Sequence, residues 1–238
     1  MARALALGWG RPVLCADPVA GRAQELAELV GGTALESNEA VAERADLVVL
    51  CHKPPQLAAV AGQASGARAV ASILAGVTLA DLRSAYPARP VYRFMPSLPV
   101  EVRAGAVVQA ACEAQDPELD RGVSELFADL GSLTVLPEGQ IDAAMAVMGC
   151  SPAYIALVVE AQVDAAVRRG LPAEQAAALV VQTLAGTAEL LRVRENDTLR
   201  VRREVSSPGG TTARGLAALE RGGIRSAFSD AMDAALEG

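Results

Sequence analysis

Aromatic residues are scarce in this chain: one Trp, three Tyr and three Phe, 3% of 238 residues, although 52% are hydrophobic. A core so poor in rings is filled by Ala, Val and Leu, which favours helices lying close to one another. Histidine occurs once, as His52, which leaves no Ser-His-Asp array. The four cysteines, Cys15, Cys51, Cys112 and Cys150, are widely spaced, with no CxxC pair and no histidine nearby to complete a metal set. Zinc and a disulfide framework are therefore excluded as readings, and the cysteines are expected to pack as small apolar side chains. Positive charge is in deficit, with 21 basic against 28 acidic residues and a net charge of -7, and no Lys/Arg cluster is interleaved with aromatics. Nucleic acid is not an expected partner. The N-terminus lacks a basic region followed by an apolar run and a cleavage site, so no secretion signal is read. Residues 176–188 are the most apolar stretch, but they carry Gln182, Thr183 and Thr187 and fall short of the roughly 20 residues of a membrane span. The expectation is a soluble, cytoplasmic protein with no membrane partner.

What is present divides the chain in two. Residues 13–74 alternate short β-branched runs with amphipathic stretches: VLCAD at 13–17, LVVLC at 47–51 and AVASIL at 69–74, with a helical pattern over 19–30. That rhythm predicts βαβ winding, and a continuously apolar run such as LVVLC suits a strand covered on both faces. Further strands are expected at 91–94, 104–110 and 133–136, with a helix over 117–130. After Pro137 the apolar residues recur only at helical spacing. Pro152 and Pro172 stand where prolines belong, in first helical turns, and Gly170 where a helix stops, which places helices over 153–169 and 173–194. The second of these is apolar around much of its circumference, so part of it is expected to meet another subunit. The fold class is α/β: a doubly wound, Rossmann-like domain over 1–137, followed by an all-α domain over 138–238 that binds substrate and dimerises.

Two local features stand out. The first eight residues, MARALALG, look helical, whereas a doubly wound dinucleotide-binding sheet opens on a strand and a Gly-rich loop. The first strand and the phosphate loop are thus expected to be missing from this chain, through a late start or a truncation. The other feature is SSPGGTT at 206–212, set at the mouth of the helical pattern ARGLAALERGG. Glycines there leave N–H groups bare, and a helix N-terminus favours a small anion. The same residues equally suit an ordinary N-cap after a turn.

Five motifs in order carry a resemblance: Lys53-Pro54 closing LVVLC, SILAGVT at 72–78, RFMPSLP at 93–99, GCSPAY at 149–154 and SSPGGTT, followed by LxxLExGG. Together they resemble the pyrroline-5-carboxylate reductase family, which makes proline, and the likeness covers almost the whole chain. It implies NADPH or NADH as cofactor, a cyclic imino acid as small-molecule substrate, and a homodimer or larger homo-oligomer assembled through the helical domain. By the same resemblance Ser207, Gly209, Gly210, Thr211 and Thr212 bind the substrate carboxylate, and Thr212 lies against the ring nitrogen as the catalytic hydroxyl. Glu195 matches a glutamate near the substrate. Cofactor contacts fall on Asn38, Lys53, Pro54, Ala75, Gly76, Met95 and Pro96. Asp17 would favour a ribose hydroxyl and Arg22 a 2′-phosphate, so the choice between the two cofactors stays open. The pattern is broken in four places: the absent glycine loop, Ser97 after Met95-Pro96, Cys150-Ser151 before Pro152, and Asp197-Thr198 in place of a His-Pro pair. Two other readings therefore stand beside the reductase: a non-catalytic oligomerisation homologue without a cofactor loop, and a reductase of a related cyclic imino acid. His52 reads as a bystander, and the arginines at 192, 194, 200, 202 and 203 as a solvated face or a collector of anionic substrate.

Overall fold

The computed structural model describes residues 1–237. They form two compact units, Met1–Pro152 and Ala153–Gly238. The first unit runs α1 (Ala2–Trp9), β1 (Leu14–Cys15), α2 (Arg22–Val30), β2 (Thr33–Ala34), α3 (Asn38–Arg44), β3 (Val48–Leu50), α4 (Leu57–Gln63), β4 (Val70–Ser72), α5 (Leu79–Ala85), β5 (Val91–Pro96), β6 (Gly105–Ala110), α6 (Pro117–Ala128), β7 (Gly131–Leu136) and α7 (Ile141–Met148). Five helices follow: α8 (Ser151–Val167), α9 (Ala173–Val193), α10 (Thr198–Glu204), α11 (Thr211–Arg221) and α12 (Ile224–Leu236).

The strands make a five-stranded sheet in the order β3-β4-β5-β6-β7 and a separate pair β1-β2. All neighbours are parallel except β5 and β6. In a doubly wound sheet the first strand lies between the second and the fourth. Here β1 and β3 stand in those flanking places, and each pairs on one side only among the described residues. Among the described residues the sheet is thus in two parts, divided between β1 and β3.

Alternation along β5 sorts its side chains to two layers. Val91 and Met95 join the core with α4, α5 and α7, including Leu82 and Ile141. Tyr92 and Phe94 join α1 and α6, including Leu5 and Phe127. Phe94 stacks on Phe127 with ring centroids 3.7 Å apart, and Trp9 meets Phe127 edge-on at 5.6 Å. Three of the few aromatic residues thus share one patch. They fix α1 to the sheet, helped by Trp9 Nε1 donating to the Leu126 carbonyl at 2.8 Å and Arg103 Nε to the Gly8 carbonyl at 2.6 Å.

Arg93 falls on the other face and is 3% exposed. Its guanidinium donates to Glu138 Oε1 at 3.1 Å and to Asp142 Oδ1 at 3.4 Å, and Glu138 Oε1 also accepts the Leu79 N–H at 2.6 Å. One carboxylate thereby joins β5, the start of α5 and the turn before α7. Removing Glu138 leaves the buried charge with only the longer contact to Asp142 and the Leu79 N–H without its acceptor, so Glu138→Ala is expected to lower the unfolding free energy by about 3 kcal/mol. Urea unfolding at neutral pH measures it.

Tyr86 presents the opposite case. Its hydroxyl is buried without a hydrogen-bond partner, and burial pushes its pKa up to about 12. The folded state holds this proton to higher pH than the unfolded chain, whose phenol keeps its ordinary value of 10.0. The associated stability is complete below the unfolded value and is lost as pH rises toward the folded one. Tyr86→Phe removes an unsatisfied group, so its melting temperature should equal or exceed the parent's at neutral pH, with a smaller loss on the alkaline side.

In the second unit the long helices keep their apolar residues on the surface: Ile155, Leu157 and Val167 on α8, and Leu179, Val181 and Leu184 on α9. α9 is 21 residues long and contains an 18-residue stretch with a mean hydropathy of 1.3, and a stretch of the same length within residues 138–167 reaches 1.6. By length and composition both are sufficient for a membrane span, which corrects the expectation that the second domain's most apolar stretch falls short. The correction arises because the helix extends beyond 176–188 at both ends.

Candidate active site

The residues expected around the cofactor gather at strand ends. Lys53 and Pro54 follow β3 after Cys51 and His52, Ala75 and Gly76 follow β4 after two intervening residues, and Met95 and Pro96 are the last two residues of β5. Asn38 opens α3 just after β2, and its Nδ2 donates to Gln63 Oε1 at 2.7 Å. Ligands of open α/β sheets bind at these carboxyl ends. Lys53 N–H donates to Gln56 Oε1 at 3.0 Å, which fixes the backbone turn and leaves the ammonium outside it. Asp17 Oδ1 accepts the Val19 N–H at 2.8 Å, a local turn that holds its carboxylate just after β1.

Two observations suit a dinucleotide here. His52 Nδ1 donates to the Lys53 carbonyl at 2.9 Å, and its Nε2 is buried with no hydrogen-bond partner. An orphaned ring nitrogen beside Lys53 is an acceptor waiting for a donor such as a ribose hydroxyl. Next to it, burial pushes the Cys51 thiol up to about 12 against the pull of the amino group of Met1. Cys51 keeps an exposed edge nevertheless. The start of α1 therefore neighbours the end of β3, and α1 has neither a side-chain cap nor an acidic residue in its first turn. Its N–H groups and dipole offer a place for negative charge.

The second set of residues surrounds the mouth of α11. Ser207, Pro208, Gly209 and Gly210 form a turn closed by Gly210 N–H donating to the Ser207 carbonyl at 3.0 Å, with Gly209 at φ 68°. This is the pattern of a type II turn, which needs glycine at its third position. Thr211 and Thr212 are the first two residues of α11, and both are exposed. The first intrahelical bond runs from Arg214 N–H to the Gly210 carbonyl at 3.2 Å, so the N–H groups of Thr211, Thr212 and Ala213 precede it. No side chain caps them, and the first turn contains no acid. By contrast α3, α5, α6 and α10 are capped by Ser37, Thr78, Asp116 and Asp197. Gly210 has its own N–H engaged within the turn. Its contribution is steric: a Cβ there would lie 2.4 Å from Ser207 Oγ.

Glu195 follows α9 with φ 55°, and Asn196 beside it has φ 63°. Consecutive left-handed residues other than glycine are uncommon. The Glu195 carboxylate has no hydrogen-bond or ion-pair partner among the described residues. The neighbouring arginines are largely paired: Arg192 with Glu189, Arg194 and Arg200 with Glu204, and Arg202 with Glu220. Hydrogen bonds from Arg194 and then Arg200 hold Glu204 below its ordinary pKa. Most of this cluster is thus a solvated ion-pair network.

The positions that break the motif pattern have structural partners. Ser97 Oγ accepts the Ala106 N–H at 2.9 Å, and Ser151 Oγ donates to the Val147 carbonyl one turn back. Asp197 caps α10 by accepting the Arg200 N–H at 2.9 Å. A groove of about 540 Å³ is lined by Leu57, Ala61, Asp81 and Ser84 among others, and it contains none of the expected site residues. Sequence reasoning missed two features here. The orphaned Nε2 was signalled only by a histidine adjoining Lys53, and Arg214, whose Nη1 donates to the Gly209 carbonyl at 2.6 Å, only by a cation in the first turns of a helix.

Comparison with known proteins covers both stretches of the chain. The family described as pyrroline-5-carboxylate reductase dimerisation matches residues 138–238, and that described as NADP oxidoreductase, coenzyme F420-dependent, matches residues 1–76. A pyrroline-5-carboxylate reductase of Synechocystis is 36% identical over 226 residues, covering 94% of this chain and 85% of the relative. The crystal structure of 1-pyrroline-5-carboxylate reductase from Streptococcus pyogenes superposes with a TM-score of 0.90 at 28% identity, covering 100% of this chain and 93% of that one. The Plasmodium falciparum pyrroline carboxylate reductase, solved with NADP bound, gives 0.86 at 26% identity, covering 98% and 91%. With a bare helix mouth after SSPGG, strand ends that suit a dinucleotide and this degree of identity over nearly its whole length, the chain belongs to the pyrroline-5-carboxylate reductase family.

Proposed function

We propose that this chain reduces 1-pyrroline-5-carboxylate to L-proline with NADPH or NADH. The observation that carries the reading is the mouth of α11, where N–H groups without a cap follow a Pro-Gly-Gly turn, in a chain with this family membership. The substrate carboxylate binds the N–H groups of Gly209, Thr211 and Thr212 and the Ser207 hydroxyl, and Gly210 leaves room for it. Thr212 Oγ holds the ring nitrogen by a hydrogen bond. A hydroxyl is a weak general acid near neutral pH, so Thr212 orients the nitrogen while water or a preprotonated iminium supplies the proton. Glu195 borders the substrate with a free carboxylate. Asn38, Lys53, Pro54, Ala75, Gly76, Met95 and Pro96 hold the dinucleotide, and the reduced nicotinamide supplies the hydride for the C=N carbon when bound. Positioning performs most of the catalysis.

The division of labour falls at Pro137, with the cofactor held over 1–137 and substrate binding and dimerisation over 138–238; the match to residues 138–238 supports it. The exposed apolar faces of α8 and α9 then belong to a homodimer interface rather than a bilayer, and the enzyme works in the cytoplasm. The test is steady-state oxidation of NADPH and NADH by the purified chain, with pyrroline-5-carboxylate and with its six-membered ring homologue. Preference for the five-membered substrate is expected. Preference for the larger ring would move the assignment to a related imine, and silence with a folded dimer would make the chain a non-catalytic homologue.

A further inference from the structure

Arg214 is placed against a general rule. A cation near the N-terminal end of a helix opposes the macrodipole, and the first turn of α11 has no acid to offset it. Nor has the guanidinium a carboxylate partner among the described residues, whereas Arg202 and Arg225 on neighbouring segments both meet Glu220. Its one hydrogen bond is from Nη1 to the Gly209 carbonyl at 2.6 Å. Its backbone N–H meanwhile donates to the Gly210 carbonyl at 3.2 Å. One residue therefore grips both glycines of the turn, from the side on which the helix begins.

We propose that Arg214 is a positioning residue that selects carboxylated imines; this rests on the reading of the α11 mouth as the substrate carboxylate site. Two physical effects follow from its place. Holding the Gly209 carbonyl fixes the turn in which Gly209 has φ 68°, so that the free N–H groups of Gly209, Thr211 and Thr212 keep a common direction. The uncompensated positive charge also raises the potential at the helix mouth, a cost to the free protein that an arriving carboxylate relieves. Both effects act on the anionic end of the substrate and neither on the C=N bond. Arg214 thus discriminates between substrates without taking part in hydride transfer.

The experiment compares pyrroline-5-carboxylate with 1-pyrroline, the same ring without a carboxylate, on the parent, Arg214→Gln and Arg214→Lys. The ratio of the two kcat/KM values should fall about tenfold in Arg214→Gln, through KM rather than kcat, as expected for the loss of one charge acting on an anion at a helix terminus. Arg214→Lys, which keeps the charge but not the planar fork, should recover part of that ratio, and the difference between parent and Arg214→Gln should shrink at high salt. A ratio unchanged in Arg214→Gln overturns the proposal, as does an equal loss on both imines, which would mark general damage to the loop. A parent enzyme inactive on pyrroline-5-carboxylate would instead overturn the substrate reading, and the role of Arg214 with it.

Discussion

Replacing Gly210 with alanine is expected to lower kcat/KM for pyrroline-5-carboxylate by about a hundredfold, equivalent to about 2.7 kcal/mol of transition-state binding. The backbone is not the reason, since Gly210 has φ -69°, which alanine adopts freely. The reason is space. The new methyl would lie 2.4 Å from Ser207 Oγ and 3.1 Å from the Ser207 carbonyl oxygen. Either the hydroxyl turns away or the turn opens at its Gly210–Ser207 hydrogen bond, and both outcomes remove groups from the carboxylate site. Gly209 has nothing within 4 Å of an added Cβ but takes φ 68°, so Gly209→Ala meets backbone strain of about 1 kcal/mol and a smaller loss. Steady-state kinetics of the two variants, with circular dichroism to confirm retained helix, separate the steric cause from the conformational one. The Gly210 variant should be the weaker binder.

Thr212→Val should lower kcat by roughly 10- to 100-fold with KM nearly unchanged, the effect of losing the one hydrogen bond that orients the reacting nitrogen. Valine keeps the shape and loses the hydroxyl. Because Thr212 is exposed at the second position of α11 and caps nothing, the substitution should cost little stability. Thr212→Ser, with the hydroxyl restored on a smaller side chain, should regain most of the rate. A fall in kcat that serine does not rescue would place the role of Thr212 in packing rather than in holding nitrogen.

Much of this arrangement was legible beforehand, and for identifiable reasons. LVVLC announced β3 because a strand covered on both faces has no polar alternation to blur it. β2 was not read, because Thr33–Ala34 has no β-branched run and is defined only by its pairing with Leu14 and Cys15. The turn and the uncapped helix start at SSPGGTT were legible because Pro-Gly forces the turn and small residues leave its N–H groups bare. That turn also engages the Gly210 N–H, which follows from the hydrogen bond a type II turn makes and was not drawn from the sequence. Ser97 and Ser151 looked able to alter substrate choice, but each meets a nearby backbone group, a partnership no spacing rule reveals. The division of the sheet between β1 and β3 was not read, because strand pairing is set by tertiary packing and not by the pattern of any one run.

The central claim is hydride transfer from a nicotinamide to the ring carbon of pyrroline-5-carboxylate, and its most direct test is isotopic. The purified chain is incubated with NADPH or NADH deuterated at the transferring position, and the proline formed is analysed by mass spectrometry and NMR. The account predicts proline with one deuterium, on the carbon adjacent to nitrogen that was the imine carbon. Proline formed without deuterium at that carbon from both faces of either labelled cofactor, or no proline at all from a folded chain, would contradict it.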